Sequence, residues 1–167
     1  TRGVRFFERA EIRIVLSYLQ LLLDSSDDTS FEYVLNNPAR GIGQRTRQLV
    51  FDYAMAQEIS LWRAAVLLVK ENRLPTRLSG ALTGFLTLIS SMRRSAEGLT
   101  LMQTLTLIIE KIGLLELYQR HPVDNQERID NLTALLNLAN EFTSDESLSL
   151  SESEQFLAMA ALSSGDE

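Results

Sequence analysis

Apolar residues recur along most of the chain at the three- and four-residue intervals of an α-helix, and no stretch sustains the alternation of a β-strand. The first stripe predicts a helix over residues 8–23. Thr29 with Glu32 three residues later fits a capping box that opens a short helix through Leu35. Asn36, Asn37 and Pro38 end that helix, because the residue before proline avoids helical geometry.

The same spacing continues to the end of the chain, with polar or glycine-containing joints between the stripes. Further helices are predicted after Gly43, after the cap residue Ser60, and at Leu78 to Met92. The next is predicted at Leu101 to Ile112, where Gly113 ends or bends it, and another begins after Asp124 or Asn125. A surface loop over residues 143–150 precedes the last predicted helix, which a Ser151–Glu154 cap opens. A residual strand is expected near Val4 to Phe6. About eight or nine helices with short joints predict an all-α fold, an irregular multi-helix bundle forming one domain over residues 1–167.

Composition restricts the chemistry that such a bundle can perform. The chain has 167 residues, 45% of them hydrophobic, which is enough to bury a core. It has no cysteine and one histidine, His121, so thiolate metal sites, disulfides and several-histidine zinc sites are excluded. The longest wholly apolar run, the seven residues 156–162, is too short to span a membrane. We therefore expect a cytoplasmic protein with no metal site of its own.

The formal net charge of −6 is unevenly distributed. Residues 1–120 carry 15 basic and 12 acidic side chains, whereas residues 121–167 carry 1 basic and 10 acidic ones. Residues 36–48 contain Arg40, Arg45 and Arg47 and no acid. Because salt screens exposed charges beyond about 10 Å, a local basic segment matters more to an anionic ligand than the total charge. The acidic end would repel phosphate, so a nucleic-acid surface would lie elsewhere.

No recognisable active site is present in the sequence. A nucleotide-hydrolysing loop needs a glycine followed by lysine and a hydroxyl residue, and no glycine here precedes a lysine. The dinucleotide fingerprint is also missing, because Gly41 and Gly43 are followed by Thr46 where that motif has glycine. We therefore predict no catalytic residue and no cofactor in this chain.

A glycine-containing segment between two predicted helices is the one candidate binding site. Glycine permits positive φ and close approach of another backbone, and the free amides that begin the next helix favour an anion. An apolar residue between the glycines would anchor the turn, and the flanking basic and hydroxyl side chains would add charge and a donor. Such an element resembles a helix–hairpin–helix grip on a DNA phosphate, which reads no bases; the alternative is an ordinary Gly-X-Gly joint. The predicted DNA-binding residues are Arg40, Gly41, Ile42, Gly43, Gln44, Arg45 and Thr46.

Two motifs resemble a known helicase family. Residues 4–13, followed by Ser17-Tyr18-Leu19, resemble the segment of UvrD/Rep/PcrA-type superfamily 1 DNA helicases that leaves motor subdomain 2A and enters subdomain 2B. About thirty residues further on, the run from Arg40 to Thr46 resembles the motif with which that family contacts duplex DNA. Weaker similarity, as at residues 128–132, extends over nearly the whole chain. Ile14 departs from the pattern, since the family usually has aspartate there.

The resemblance implies a 2B subdomain cut to its boundaries, within a parent enzyme that unwinds DNA 3′-to-5′ in repair. ATP and Mg²⁺ would belong to the parent and none to this chain. Residues 1–9 would lead from the motor, with Phe7, Glu8 and Arg9 as a hinge about which the module rotates. The implied partner is duplex DNA without sequence preference, and we expect the chain to be monomeric. The alternative is a helical protein-docking adaptor for repair or transcription proteins, whose acidic C-terminal third meets basic partners.

Overall fold

Helices account for the regular structure of the chain in this computed structural model, which describes residues 5–165, with side chains as far as residue 163. Nine helices lie wholly within that range, and it contains no strand, so the all-α prediction is confirmed. Their bounds are α1 (Ala10–Leu23), α2 (Asp28–Val34), α3 (Gln44–Gln57), α4 (Leu61–Lys70), α5 (Thr76–Ser95), α6 (Leu101–Lys111), α7 (Leu114–Gln119), α8 (Pro122–Glu141) and α9 (Glu152–Gly165).

The packing divides the chain into two compact units. The central unit comprises residues 21–95 and therefore holds α2 to α5. The terminal unit comprises the residues up to 20 and from 96 onward, with most of α1 and all of α6 to α9. One helical domain over residues 1–167 stays a prediction.

In the central unit, α4 is the helix around which the others pack, and it contacts α2, α3 and α5. The Phe31 and Phe85 rings meet edge to face with centroids 5.5 Å apart, the offset geometry that aromatic pairs prefer. The apolar stripes predicted from spacing supply this core; its fully buried members include Phe31, Val34, Leu35, Val50, Ala64, Ala65, Leu82, Phe85 and Ile89. This core supports the joint between α2 and α3, where the candidate site lies.

The terminal unit is built on contacts of α8 with α6 and α7, together with a cluster of aromatic rings. Phe156 lies 6.4 Å from Phe7 and 5.3 Å from Phe142, centroid to centroid and nearly perpendicular to both. Glu11 is buried, and the Asn131 side-chain amide donates to its carboxylate at 2.7 Å. A buried carboxylate needs such a donor to offset its desolvation.

Several helix termini agree with the sequence. The Ser60 hydroxyl accepts from the Arg63 amide at the start of α4. At the start of α9, Ser151 and Glu154 exchange the two hydrogen bonds of a capping box, at 2.8 and 3.2 Å. Gly113 ends α6 in the left-handed region, at φ 70°, which glycine adopts without steric cost.

Other predicted termini were wrong. The cap of α2 is Asp27, which accepts the Ser30 amide at 3.0 Å, and not Thr29. Glu32 was assigned to that box, but its carboxylate binds Arg47 at 2.7 Å. The capping residue therefore lies two positions earlier than predicted, and the acid expected in the capping box pairs with an arginine of α3 instead.

The remaining differences between prediction and structure concern where two helices begin, one helix that was not predicted and one strand that is absent from the described residues. α1 begins at Ala10 and not residue 8, and α8 begins at Pro122, whose fixed φ suits a first helical position. The short helix α7 was not foreseen. The expected strand near Val4 to Phe6 was wrong at residues 5 and 6, which are helical, and Val4 lies outside the described residues. No helix in the described range has both the length and the apolarity that a membrane span requires.

Candidate nucleic-acid interface

The joint between α2 and α3 is a tight loop stabilised from within. The Asn36 side-chain oxygen accepts hydrogen bonds from the amides of Arg40 at 2.8 Å and Ile42 at 3.2 Å. Gly41 has φ +80°, a conformation that side chains with a Cβ rarely adopt, so glycine is required there. Ile42 is 2% exposed and anchors the loop on the core, as the sequence predicted. Asn36 was missed, because only the folded loop shows which amides it reaches.

Gly43 differs from Gly41, because its own backbone does not demand glycine. It is the N-cap residue of α3, with φ −91° and ψ −170°, an extended conformation open to any residue. A Cβ built on it would meet nothing within 4 Å. The chain itself therefore gives no reason for glycine at 43, and the open space beside it is available to a ligand.

The N-terminus of α3 has no internal cap. Gly43 offers no side chain to the amides of Gln44, Arg45 and Thr46, which have no intrahelical acceptor. Thr46 is 1% exposed, and its hydroxyl has no hydrogen-bond partner among the residues that the structure describes. Unpartnered buried hydroxyls are uncommon, because each costs about 1–3 kcal/mol of desolvation. Several donors thus remain at one end of one helix.

Arg40 is directed to the backbone and not to the solvent side of the loop. Its guanidinium donates to the carbonyl oxygens of Val34 and, at 2.8 Å, Leu35, at the end of α2. Its Cζ also lies 5.1 Å from the centroid of the Phe85 ring. A cation at a helix C-terminus satisfies carbonyls that lack intrahelical donors. The geometry makes Arg40 a residue that fastens the loop to α2 and α5.

The other two arginines of the basic segment are placed differently from each other. Arg47 forms an ion pair with Glu32 at 2.7 Å and lies over the Phe51 ring at 5.5 Å. Arg45 is exposed, and within residues 5–165 it makes no ion pair or side-chain hydrogen bond. Of the three arginines in residues 36–48, Arg45 is therefore the one whose charge faces solvent without a carboxylate beside it.

A groove of about 500 Å³ opens beside the loop. Most of its wall comes from the predicted site, but α5 also contributes Arg77 and Leu78. Arg77 is exposed, and it too makes no ion pair in the described part of the chain. The lining residues are Asn36, Ala39, Gly41, Ile42, Gly43, Gln44, Arg45, Thr46, Arg77 and Leu78. Except for Arg40, every predicted DNA-binding residue lies in this groove.

The model of the UvrD-like helicase C-terminal domain matches residues 1–167. The chain belongs to the UvrD-like helicase C-terminal domain family. It is 38% identical to DNA helicase II of Haemophilus influenzae over 167 residues, 99% of this chain and 23% of that protein. It is 36% identical to DNA helicase II of Escherichia coli over 98% of this chain and 23% of that protein. The corresponding identity to ATP-dependent DNA helicase UvrD1 of Mycobacterium tuberculosis is 35%, over 86% of this chain and 19% of that protein.

These helicases are much longer than the chain, which spans about a quarter of the length of the first two. The predicted family is confirmed by the match over the full chain. The family assignment does not identify individual contact residues, and those remain predictions argued from geometry.

The predicted hinge residues of this UvrD-like domain lie in the terminal unit. Phe7 is buried against Phe156, and Arg9 forms an ion pair with Glu127 at 3.1 Å. Glu8 is exposed, and its amide donates to the Arg5 carbonyl oxygen. The first four residues of the predicted 1–9 segment lie outside the described residues. The hinge role stays a prediction.

Shifted pKa values occur away from the groove. The Ser26 hydroxyl lowers the pKa of Asp24, and the Ser147 hydroxyl lowers that of Asp145 in the same way. The Ser151 amide lowers the pKa of Glu154 in the α9 capping box. These carboxylates close turns and caps. Among the described residues, no three His, Cys, Asp or Glu side chains are grouped as a metal site would need.

Proposed function

We propose that this chain is a non-catalytic module that grips duplex DNA within an ATP-dependent DNA helicase. One observation supports it above all others: the uncapped N-terminus of α3 opens into a groove that also holds an exposed arginine and a buried hydroxyl with no partner in the described range. Each of these groups is a donor or a positive charge. A phosphate of the DNA backbone is the ligand that uses all of them.

The chemistry of the grip is electrostatic and independent of base sequence. Amides at a helix N-terminus carry the positive end of the helix dipole and point at the ligand. Arg45 adds a full charge at the same end, and the Thr46 hydroxyl can donate to a phosphate oxygen. Contacts to phosphate oxygens position a protein on DNA and carry no sequence information directly. The loop would therefore hold any duplex in one orientation.

The helicase part of the proposal comes from the relatives. Proteins named DNA helicase II and ATP-dependent DNA helicase UvrD1 contain a segment that matches this chain. No glycine of the sequence is followed by lysine, as a nucleotide-hydrolysing loop requires, so we propose that the ATP and Mg²⁺ chemistry belongs to the rest of a longer protein. The module would correspond to the 2B subdomain, turning at Phe7 to Arg9 while it holds the duplex ahead of the motor in repair.

Gly43→Ala tests the grip without disturbing the loop. Alanine fits the backbone conformation at 43 and meets no neighbouring atom, so the fold should be unchanged. A DNA backbone approaching that position would meet the new methyl group, and we expect binding to weaken roughly tenfold, about 1.4 kcal/mol. Fluorescence anisotropy with a labelled duplex measures this. Gly84→Ala is the matched control, because that exposed glycine lies within α5 and its Cβ position is equally open.

Equal duplex affinity for Gly43→Ala, Gly84→Ala and the starting protein would reject the DNA grip. Circular dichroism of both variants checks that helicity is retained. Affinity that does not fall between low and moderate salt would reject it too, since phosphate binding releases counterions.

A second candidate, protein docking, draws on the loop between α8 and α9. This loop is acidic, and it exposes Leu148 by 51% and Leu150 by 46%. Apolar side chains among acids suit a basic, partly apolar partner such as a repair or transcription protein. Replacing both leucines with serine would weaken such docking and leave DNA binding intact, which separates the two functions.

A further inference from the structure

We infer that Arg77 is a second phosphate-binding arginine of the groove, reaching it from a helix that the glycine loop does not include. The inference rests on the proposed DNA grip and adds a residue to it. Arg77 lies in the first turn of α5, more than thirty residues after the loop in sequence, and lines the same groove as Arg45 and Thr46.

The position of Arg77 on its helix is unfavourable for the isolated protein. The first turn of a helix is the positive end of its dipole, where acids are favoured and cations are not. Neither α3 nor α5 has an acid in its first turn, yet both carry an arginine there, Arg45 and Arg77. No ion pair offsets either charge in the part of the chain that the structure describes. Two uncompensated cations at two helix N-termini facing one groove indicate an anion from outside.

Thr46 supplies an independent observation at the same place. Its side chain is buried, lines the groove, and has a hydroxyl without a partner in the described range. This hydroxyl is a donor, beside the groove, that the protein itself leaves unused in the described range. The α3 N-terminus therefore provides the fixed donors, and α5 provides a second charge in the same groove.

This assignment changes which arginines are counted as phosphate ligands at the groove. Arg40 is bound to backbone carbonyls and Arg47 to Glu32, so neither is counted. Arg45 and Arg77 remain. With about 0.9 of a counterion released per phosphate neutralised, two arginines give a slope near −2 for log affinity against log salt. Counting all three arginines of residues 36–48 would give a slope near −3.

Arg77→Gln is the decisive variant, measured by anisotropy of a labelled duplex at several salt concentrations. We expect the slope to fall to near −1 and affinity at low salt to drop several-fold. Arg77→Lys should retain the slope, because it keeps the charge. The control is Arg94→Gln, an exposed arginine roughly 25 Å along the same helix at about 1.5 Å per residue. It should leave both quantities unchanged.

Arg45→Gln separates failure of this inference from failure of the grip itself. If Arg45→Gln lowers the slope by about one and Arg77→Gln leaves it unchanged, Arg77 is not a phosphate ligand but the grip stands. If neither variant changes the slope, both proposals are wrong. Thermal unfolding should show no loss of stability for Arg77→Gln, since the residue has no partner to lose in the described structure; a clear loss would make it a structural residue.

Discussion

Two helices of the central unit begin in opposite ways. At α4, the Ser60 hydroxyl accepts the Arg63 amide, and the Asp28 carboxylate accepts the Leu61 amide at 2.9 Å. At α3, Gly43 offers no side chain to the amides of the first turn, and Thr46 in that turn is buried with a hydroxyl that has no partner among the described residues. The amides at the start of α4 are thus bonded to side chains of the protein itself. The amides at the start of α3 stay free, and we attribute that difference to a ligand.

The arginines of the unit show the same contrast. Arg40 donates to carbonyls at the end of α2, and Arg93 donates to the Leu21 and Leu22 carbonyls at the end of α1, at 3.2 and 3.0 Å. These charges complete helix C-termini, where cations are favourable. Arg45 and Arg77 sit in first turns, where cations are unfavourable. The position of an arginine relative to a helix end thus separates structural cations from candidate ligands of phosphate.

The largest expected effect comes from giving α3 the kind of cap that α2 has. Gly43→Asp places a carboxylate at an N-cap whose backbone is already extended and whose Cβ position is open. The carboxylate would accept the free amides and repel phosphate. We expect roughly thirtyfold to hundredfold weaker duplex binding, since charge-assisted bonds contribute about 1.5–3 kcal/mol each. Stability should rise by about 0.5–1 kcal/mol.

Anisotropy titrations and thermal unfolding together check this exchange. Gly43→Ser separates the effect of the cap from the effect of the charge, because serine accepts the same amides but stays neutral. Its duplex affinity should lie between those of the starting protein and the Gly43→Asp variant. An aspartate variant that binds duplex as tightly as the starting protein would mean that the α3 N-terminus does not meet phosphate.

Arg40→Gln should produce the next largest effect, on stability and not on the number of phosphates bound. The guanidinium satisfies carbonyls of α2 and lies over Phe85, so its loss should cost about 2 kcal/mol of unfolding free energy. The salt slope of duplex binding should stay within experimental error. Urea unfolding gives the first quantity and titration at several salt concentrations gives the second. A slope lowered by about one would return Arg40 to the set of phosphate ligands.

The sequence predicted what local patterns determine. Helical spacing located most of the helices, and serine caps at residues 60 and 151 were found because the capping partner lies within three residues. The glycine loop was found because its two glycines, Gly41 and Gly43, lie within three residues of one another between two predicted helices. The contacts of Arg40 and the position of Arg77 beside the groove were not predicted, because they depend on which helix ends and rings come near them in the folded unit. A basic residue in a motif shows its charge in the sequence, but only packing shows which oxygen that charge meets.

Thr46→Val should change stability and binding in opposite directions. Valine removes a buried hydroxyl that has no partner in the described residues, so the free protein should gain about 1 kcal/mol. Duplex binding should weaken about threefold to fivefold, near 1 kcal/mol, through loss of one donor. Thermal unfolding and anisotropy measure the two on the same samples. If stability falls with valine, the hydroxyl serves the fold and the argument for a ligand loses one of its supports.

The smallest effect is expected where α4 is made to resemble α3. Ser60→Gly removes the cap, and replacing an N-cap serine by glycine costs only a few tenths of a kcal/mol. No new DNA binding should appear, even though the amides near Arg63 become free. Asp28 would still hold the Leu61 amide and would repel phosphate. When Ser60→Gly is combined with Gly43→Asp, which blocks the α3 N-terminus, duplex binding should remain as weak as in the Gly43→Asp variant alone. Restored binding would mean that an uncapped helix end is sufficient for the grip. DNA binding at α3 would then not depend on the groove, its two arginines or the buried threonine.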